Sequence, residues 1–203
     1  MIKKLNPLPI KQLVCFCCVA IILLHSNNNL YAQWATINPG QYDTTWWNRT
    51  PIRLIQTNLR KVDALMDVDA YVKTIEAAYA NVVLLNAGGI VANYPTKLPF
   101  HYRNPFMKGD LVGTLLNRLH AKGIKVLGRF DVSKINETLA AQKPEWLYVG
   151  TDGKNVNYNG QVHTCVNGGY QQQYTFDILK ETIQNYDLDG IFFNMPGYTT
   201  SRL

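Results

Sequence analysis

The chain has 203 residues, 47% of them apolar and 17% charged, a balance that suits one globular domain and excludes a disordered or fibrous chain. Its formal charge is +6, but Lys3, Lys4 and Lys11 fall in the first 32 residues, which hold no acid; the remainder carries 17 basic against 14 acidic side chains. With no basic run to follow a phosphate backbone, nucleic acid is excluded as a partner. Of the four cysteines, Cys15, Cys17 and Cys18 share one N-terminal apolar run and Cys165 stands alone, so neither an internal disulfide nor paired zinc-ligand spacing is available. No metal or nucleotide cofactor is expected.

Residues 1–32 read as an export signal. Met1 to Lys11 is basic, the apolar run from Gln12 to Leu24 has the length of a signal-peptide core, and Leu30-Tyr31-Ala32 ends on the small residue a signal peptidase needs. A membrane-spanning helix wants about 20 apolar residues. Cleavage is expected after Ala32, which places the mature protein in the periplasm or outside the cell, with no membrane association after cleavage. An uncleaved N-terminal anchor is the alternative. Residues 33–50 form a lead-in, and residues 51–203 carry the domain.

That domain alternates strands with helices. Pro51 to Thr57 is strand-like. Val72, Ile75 and Tyr79 recur at helical spacing behind a cap at Asp67 or Asp69. Val82 to Asn86 is a continuous apolar run, the mark of a strand buried on both faces. Leu111, Leu115 and Leu119 form a helix stripe capped by Asp110 and stopped by Gly123. Ile124 to Phe130 is a third strand, Ser133 to Gln142 a short helix ended by Pro144, and Asp152-Gly153 the turn of a hairpin between Trp146–Val149 and Asn155–Tyr158. Phe176, Leu179, Ile183 and Tyr186 mark a longer helix, and Gly190 to Asn194 is a fourth strand.

Such alternation implies a parallel sheet covered by helices. A doubly wound nucleotide-binding sheet wants a glycine-rich first turn; Thr57 to Asp63 has no glycine, and Gly88-Gly89 lacks a third. The fold class expected is therefore α/β, an incomplete (β/α)8 TIM barrel of about four βα units, because a whole barrel takes about 250 residues. The chain ends where the loop after the fourth strand should begin, which reads as a truncated form of a longer barrel, whether by frameshift, early stop or incomplete gene model. A half barrel would leave two sheet edges unpaired, and self-association through them is an expected consequence.

Barrel chemistry sits at the C-terminal ends of strands and on the loops that follow. Those loops mix aromatic rings with amides, hydroxyls and Arg, which suits a sugar as well as it suits loops that pack on themselves. Arg129 and Asp131 follow a buried strand with one residue between them, so both can project toward the barrel mouth. Asp131 there can orient a substrate hydroxyl or move a proton; it can equally pair with Arg129 or cap the helix near Ser133. Asp110, Asp152 and Asp189 read as structural, His120 as a solvated histidine facing the helix-end dipole, and Cys165 as a buried loop residue.

The runs Gly88-Gly89-Ile90, Tyr94 to Pro99, His101-Tyr102, Gly123 to Lys134, Pro144 to Leu147, Cys165-Val166-Asn167 and Tyr186 to Tyr198 resemble the family called hypothetical glycosyl hydrolase six. The resemblance covers about residues 50 to 198. It implies an incomplete TIM barrel related to α-L-fucosidase and β-galactosidase-like glycosidases, acting on carbohydrate outside the cytoplasm. On this reading Asp131 is the candidate catalytic residue, and His101, Tyr102, Arg129, His163, Asn167, Asn194 and Tyr198 are the candidate substrate-binding residues. Fucosidase-like barrels place an Asp nucleophile at the end of the fourth strand, where this chain has Asn194. An amide forms no ordinary glycosyl ester, but it can bond a sugar hydroxyl. Glycoside hydrolysis usually takes two carboxylates, and Asp131 is the only mouth-facing one expected. A glycoside hydrolase lineage is thus the leading reading, a carbohydrate-binding or pseudoenzyme module the second, and an interaction protein using its sheet edge the third.

Overall fold

The computed structural model describes residues 45–195. The expected signal peptide, the lead-in up to residue 44, and Tyr198 lie outside the described residues. The chain divides into Met1–Trp46 and Trp47–Leu203, and the architecture below is that of the second unit.

In chain order the elements are β1 (Leu54–Thr57), a 3-10 turn (Lys61–Leu65), α1 (Val68–Ala77), β2 (Val82–Gly89), α2 (Leu111–His120), β3 (Lys125–Asp131), β4 (Lys134–Asn136), α3 (Glu137–Ala140), β5 (Asn157–Tyr158), β6 (Gln161–His163), a π turn (Tyr170–Tyr174), α4 (Thr175–Asn185) and β7 (Gly190–Asn194). Strands β1, β2, β3 and β7 lie side by side in that order, every neighbouring pair parallel. This is four strands of a barrel, with helices on one face. The three short strands β4, β6 and β5 form a separate antiparallel sheet within the loop after β3.

Local sequence explains the helices. Asp67 caps α1 by accepting from the Ala70 amide, and Asp110 caps α2 by accepting from the Gly113 amide. Val72 and Ile75 of α1 pack with Leu111, Leu115 and Leu119 of α2 on Val83, Leu85 and Val126 of the sheet. A fully buried Leu of this kind contributes roughly 1.5–3 kcal/mol. Gly123, at φ +70, turns the chain from α2 toward β3 in a conformation a Cβ would oppose. At the opposite end of the sheet from the barrel mouth, Asp189 accepts from His120 Nε2 and the Val126 amide and pairs with Lys125. Burial alone would raise its pKa, but these donors outweigh burial and hold it below the usual carboxylate range. His120 is thus tied to the strands and is not a freely solvated helix-end histidine.

Four expectations need correction. Tyr79 does not extend the α1 stripe: it follows the helix at φ +54 and is 79% exposed. The buried face of α4 is Thr175, Ile178 and Thr182, whereas Phe176 and Ile183 stand 66% and 58% exposed. Thr182 is buried because its hydroxyl bonds the Ile178 carbonyl and the Tyr94 hydroxyl, so a polar residue takes the place the apolar spacing assigned to Ile183. The segment from Ser133 begins as β4 and becomes helical only at Glu137, with Asn136 as the cap. The Asp152-Gly153 turn does bring Val149 to Asn155, but Tyr158 pairs with Gln161 of β6 and Trp146 lies in a helical turn.

Strand alternation then sorts the sheet's two faces. Val126, Gly128 and Phe130 of β3 are buried beneath the helices, while Leu127, Arg129 and Asp131 take the other, less covered face. That second face would be the inside of a closed barrel. Among the described residues β7 is an outer edge, and its Ile191, Phe192 and Phe193 remain exposed on both faces. Among the described residues no helix is long and apolar enough to cross a membrane.

Candidate functional site

The C-terminal ends of β1, β2 and β3 open into a cleft of about 410 Å³ lined by Asn58, Lys61, Asn86, Arg129, Asp131 and Gln161 among others. Register builds it: Asn86 of β2 stands beside Arg129 of β3, and Asp131 stands beside Asn194 of β7. A larger cleft of about 490 Å³, between Tyr94, Asp110, Lys180, Glu181 and Tyr186, lies in the helix layer away from the strand ends. The smaller cleft is the candidate site, because it gathers side chains from successive strand ends as barrel chemistry requires.

Asp131 is held on both oxygens. Its Oδ1 accepts from the Ser133 amide at 3.1 Å and the Ser133 hydroxyl at 2.5 Å, and its Oδ2 accepts from Asn194 Nδ2 at 2.7 Å. The bond to Ser133 is a local turn and not a helix cap. Arg129 forms no ion pair with Asp131, so the Arg–Asp clamp foreseen for the loop is absent. With the Asn86 amide turned so that its oxygen faces the guanidinium, Asn86 accepts from Arg129 Nη1 at 2.8 Å and donates to the Thr57 carbonyl. Among the described residues Arg129 Nε is the buried side-chain polar atom left without a partner.

An amide chain that the sequence does not announce knits the cleft floor. Asn93 Nδ2 donates to the Asn86 carbonyl at 3.0 Å, and Asn104 Nδ2 donates to Asn93 Oδ1 at 2.8 Å and to the Lys61 carbonyl at 3.0 Å. The turn after β1, strand β2 and the loop after β2 are thereby fastened together around Asn104, which is 2% exposed. Asparagine enrichment in the loop after β2 is the one sequence signal that could have pointed here. Asn86 had a stronger signal, since it follows directly on the apolar run Val82 to Leu85 of a strand.

His101 is placed differently from the expectation. It is buried to 3% exposure, behind Gly88 and away from the cleft lining. Its Nε2 accepts from the Gly89 amide at 3.0 Å, and Nδ1 lies 3.2 Å from the Tyr94 hydroxyl, which donates to Glu181 Oε2 at 3.0 Å. Because Nε2 accepts, the ring proton belongs on Nδ1 and is given to Tyr94. Burial pushes the imidazole down to about 4, against a small opposing pull from Glu181. Both nitrogens thus serve the protein, and His101 is a bolt under the loop where a substrate ligand was expected. Glu181 completes the bolt by accepting from the Thr96 hydroxyl and the Lys97 amide. Asp110, besides capping α2, accepts from the Tyr186 hydroxyl at 2.9 Å.

The other expected ligands divide. Tyr102 lies outside the cleft lining but carries Lys61 Nζ 5.8 Å from its ring centroid. His163 ends β6 and is buried; burial and the Lys134 charge lower its pKa, and the Asp131 charge opposes them. Asn167 is exposed in the loop before the π turn and is not part of the cleft lining. The rings of Phe100, Trp146, Tyr170 and Tyr174 pack against one another at 5.3–5.9 Å between centroids, which is loop packing and not an open stacking platform. Among the described residues no group of three or more His, Cys, Asp or Glu side chains is placed to hold a metal ion.

Comparison with known proteins agrees with this architecture. The family model described as hypothetical glycosyl hydrolase 6 matches residues 67–195. Alpha-L-fucosidase isoenzyme 2 from Paenibacillus thiaminolyticus superposes with a TM-score of 0.60 at 21% identity, covering 74% of this chain and 24% of that one. A hypothetical protein from Ruminiclostridium thermocellum gives 0.54 at 18% identity, covering 72% and 77%. The noncanonic maltogenic alpha-amylase AmyB from Thermotoga neapolitana gives 0.51 at 14% identity, covering 73% and 40%. These likenesses show the fold, and the chain spans about a quarter of the fucosidase's length. No curated protein matches.

Proposed function

Since the chain belongs to the hypothetical glycosyl hydrolase 6 family, we propose that it is a secreted, glycoside hydrolase-like protein whose strand-end cleft takes a sugar. The observation that carries this reading is the meeting of Asp131 and Asn194 at adjacent strand ends, with Arg129 on the same face and amides around it. Amides and guanidinium donate to ring hydroxyls, and a carboxylate accepts from them or moves a proton. Asp131 is the one carboxylate lining this cleft among the described residues. Hydrolysis through two carboxylates therefore needs a second from outside these residues, and the proposed share of this segment is sugar positioning plus one carboxylate. Its being the N-terminal half of a longer barrel is part of the same proposal.

The test is to titrate the full chain with a panel of methyl glycosides and oligosaccharides by saturation-transfer NMR, and to assay the same mixtures for new reducing ends. Binding abolished by Asp131→Ala in a variant that still melts cooperatively supports the cleft as the site; binding indifferent to that change sinks it. A second reading, non-catalytic carbohydrate binding, is favoured by the occupancy of both Asp131 oxygens by Ser133 and Asn194. Binding without reducing-end release selects it. Export is tested by sequencing the N-terminus of protein recovered outside the cytoplasm, where cleavage after Ala32 exposes Gln33.

A further inference from the structure

Resting on the carbohydrate reading above, we propose that the cleft takes a sugar bearing an anionic substituent, a carboxylate or a sulfate ester, held by Arg129 and Lys61. The charges lining the cleft are Arg60, Lys61, Arg129 and Asp131. Arg60 is paired with a carboxylate, and both Asp131 oxygens are hydrogen-bonded by neutral donors of the protein. Arg60 grips Asp63 with two nitrogens, Nη2 to Oδ1 at 2.9 Å and Nε to Oδ2 at 3.2 Å. Asp131 has Ser133 on one oxygen and Asn194 on the other. What remains is a pair of cations with no carboxylate of their own.

Arg129 is the stronger half of the argument. Its side chain is half-buried at the end of β3, a setting in which a guanidinium is ordinarily matched by a carboxylate. Here its partner is a neutral amide, Asn86, and its Nε has none. The planar fork fits carboxylate and sulfate oxygens in pairs. Lys61 adds a point charge from a fixed root, since its carbonyl is anchored by the buried Asn104 while its side chain is exposed with Nζ 5.8 Å from the Tyr102 ring centroid. Asn58 and Gln161, also in the lining, are placed to meet the hydroxyls of the same ring. A neutral sugar would use the amides and leave Arg129 Nε without a partner and Lys61 with only the Tyr102 ring.

The experiment measures binding of the full chain to matched methyl glycosides of glucose, galactose and mannose, to their uronates and to their 6-sulfates, with inorganic sulfate and acetate as controls. In at least one series the charged sugar is expected to bind about tenfold tighter than its neutral counterpart. That advantage should vanish in Lys61→Met and shrink toward 1 M salt, where the screening length is about 3 Å. Lys61 is exposed, so its variant keeps the test valid where Arg129→Met fails to fold. A preference confined to uronates or to sulfates supports the proposal and names the anion. Neutral sugars binding as tightly as charged ones overturns it and leaves the carbohydrate reading standing. Free sulfate or acetate binding as tightly as the sugars also overturns it, as a bare anion site, and no binding by any sugar overturns both readings.

Discussion

Asn194 donates to Asp131 across 2.7 Å, and the two are direct partners in the parallel pairing of β3 with β7. The bond therefore rests on sheet register and does not depend on loop conformation. Replacing the donor with a second acid, Asn194→Asp, sets two carboxylates where one hydrogen bond stood. One carboxyl of the pair then titrates above its unfolded value of about 3.9. A raised folded pKa means the penalty is absent below the unfolded value and grows as pH rises through the folded one. Urea unfolding should show a loss of about 2 kcal/mol at pH 7 that largely disappears near pH 4; a loss independent of pH would mean the two side chains do not meet.

His101 makes the opposite slope. Its folded pKa is pushed down to about 4 from an unfolded value of about 6.5, so between these pH values the unfolded chain binds the extra proton. Stability is complete above about 6.5 and falls as the pH drops toward 4, by on the order of 3 kcal/mol. His101→Gln should be less stable at neutral pH and lose most of that slope. Denaturant melts across pH 4 to 7.5 measure both effects.

Gly89 should tolerate no side chain. It sits at φ +99, and a Cβ there would meet the Asp131 backbone, while its amide donates to His101 and its carbonyl accepts from the Tyr170 hydroxyl. The peptide cannot turn away without breaking those bonds. Gly89→Ala should cost about 3 kcal/mol or more, read as a lower urea midpoint or loss of soluble protein; a variant as stable as the parent would contradict the close approach of β2 and β3.

The outer strands carry an association prediction. Among the described residues β1 and β7 each have one unpaired side in the sheet, and Leu54, Ile191, Phe192 and Phe193 are exposed there. We propose that these edges pair with a second copy of the chain. Sedimentation should show a mass that rises with concentration, and Phe193→Lys, which charges the edge, should lower it. A monomer at every concentration would reject the idea.

Periodicity made most of the sheet and the first two helices legible, because Val82 to Leu85 and the Leu111, Leu115, Leu119 stripe are buried by their own apolar pattern. It failed on α4, where exposed Phe176 and Ile183 mimic a stripe and Thr182 is buried through hydrogen bonds that a hydropathy pattern does not record. The two-residue spacing of Arg129 and Asp131 on a strand was enough to put them on one face.

The sequence by itself determined the fold class and the succession of four parallel strands along the chain, since burial and alternation are local properties of a chain. It did not determine which polar groups are free. His101 stands close in sequence to the cleft's loops yet has both nitrogens turned inward to Gly89 and Tyr94. Asn86, Asn93, Asn104 and Lys61 come from three separate segments and meet only through register and loop closure. Whether a side chain faces a ligand or another part of the protein depends on partners far away in the sequence, and those partners are assigned only when the chain has folded.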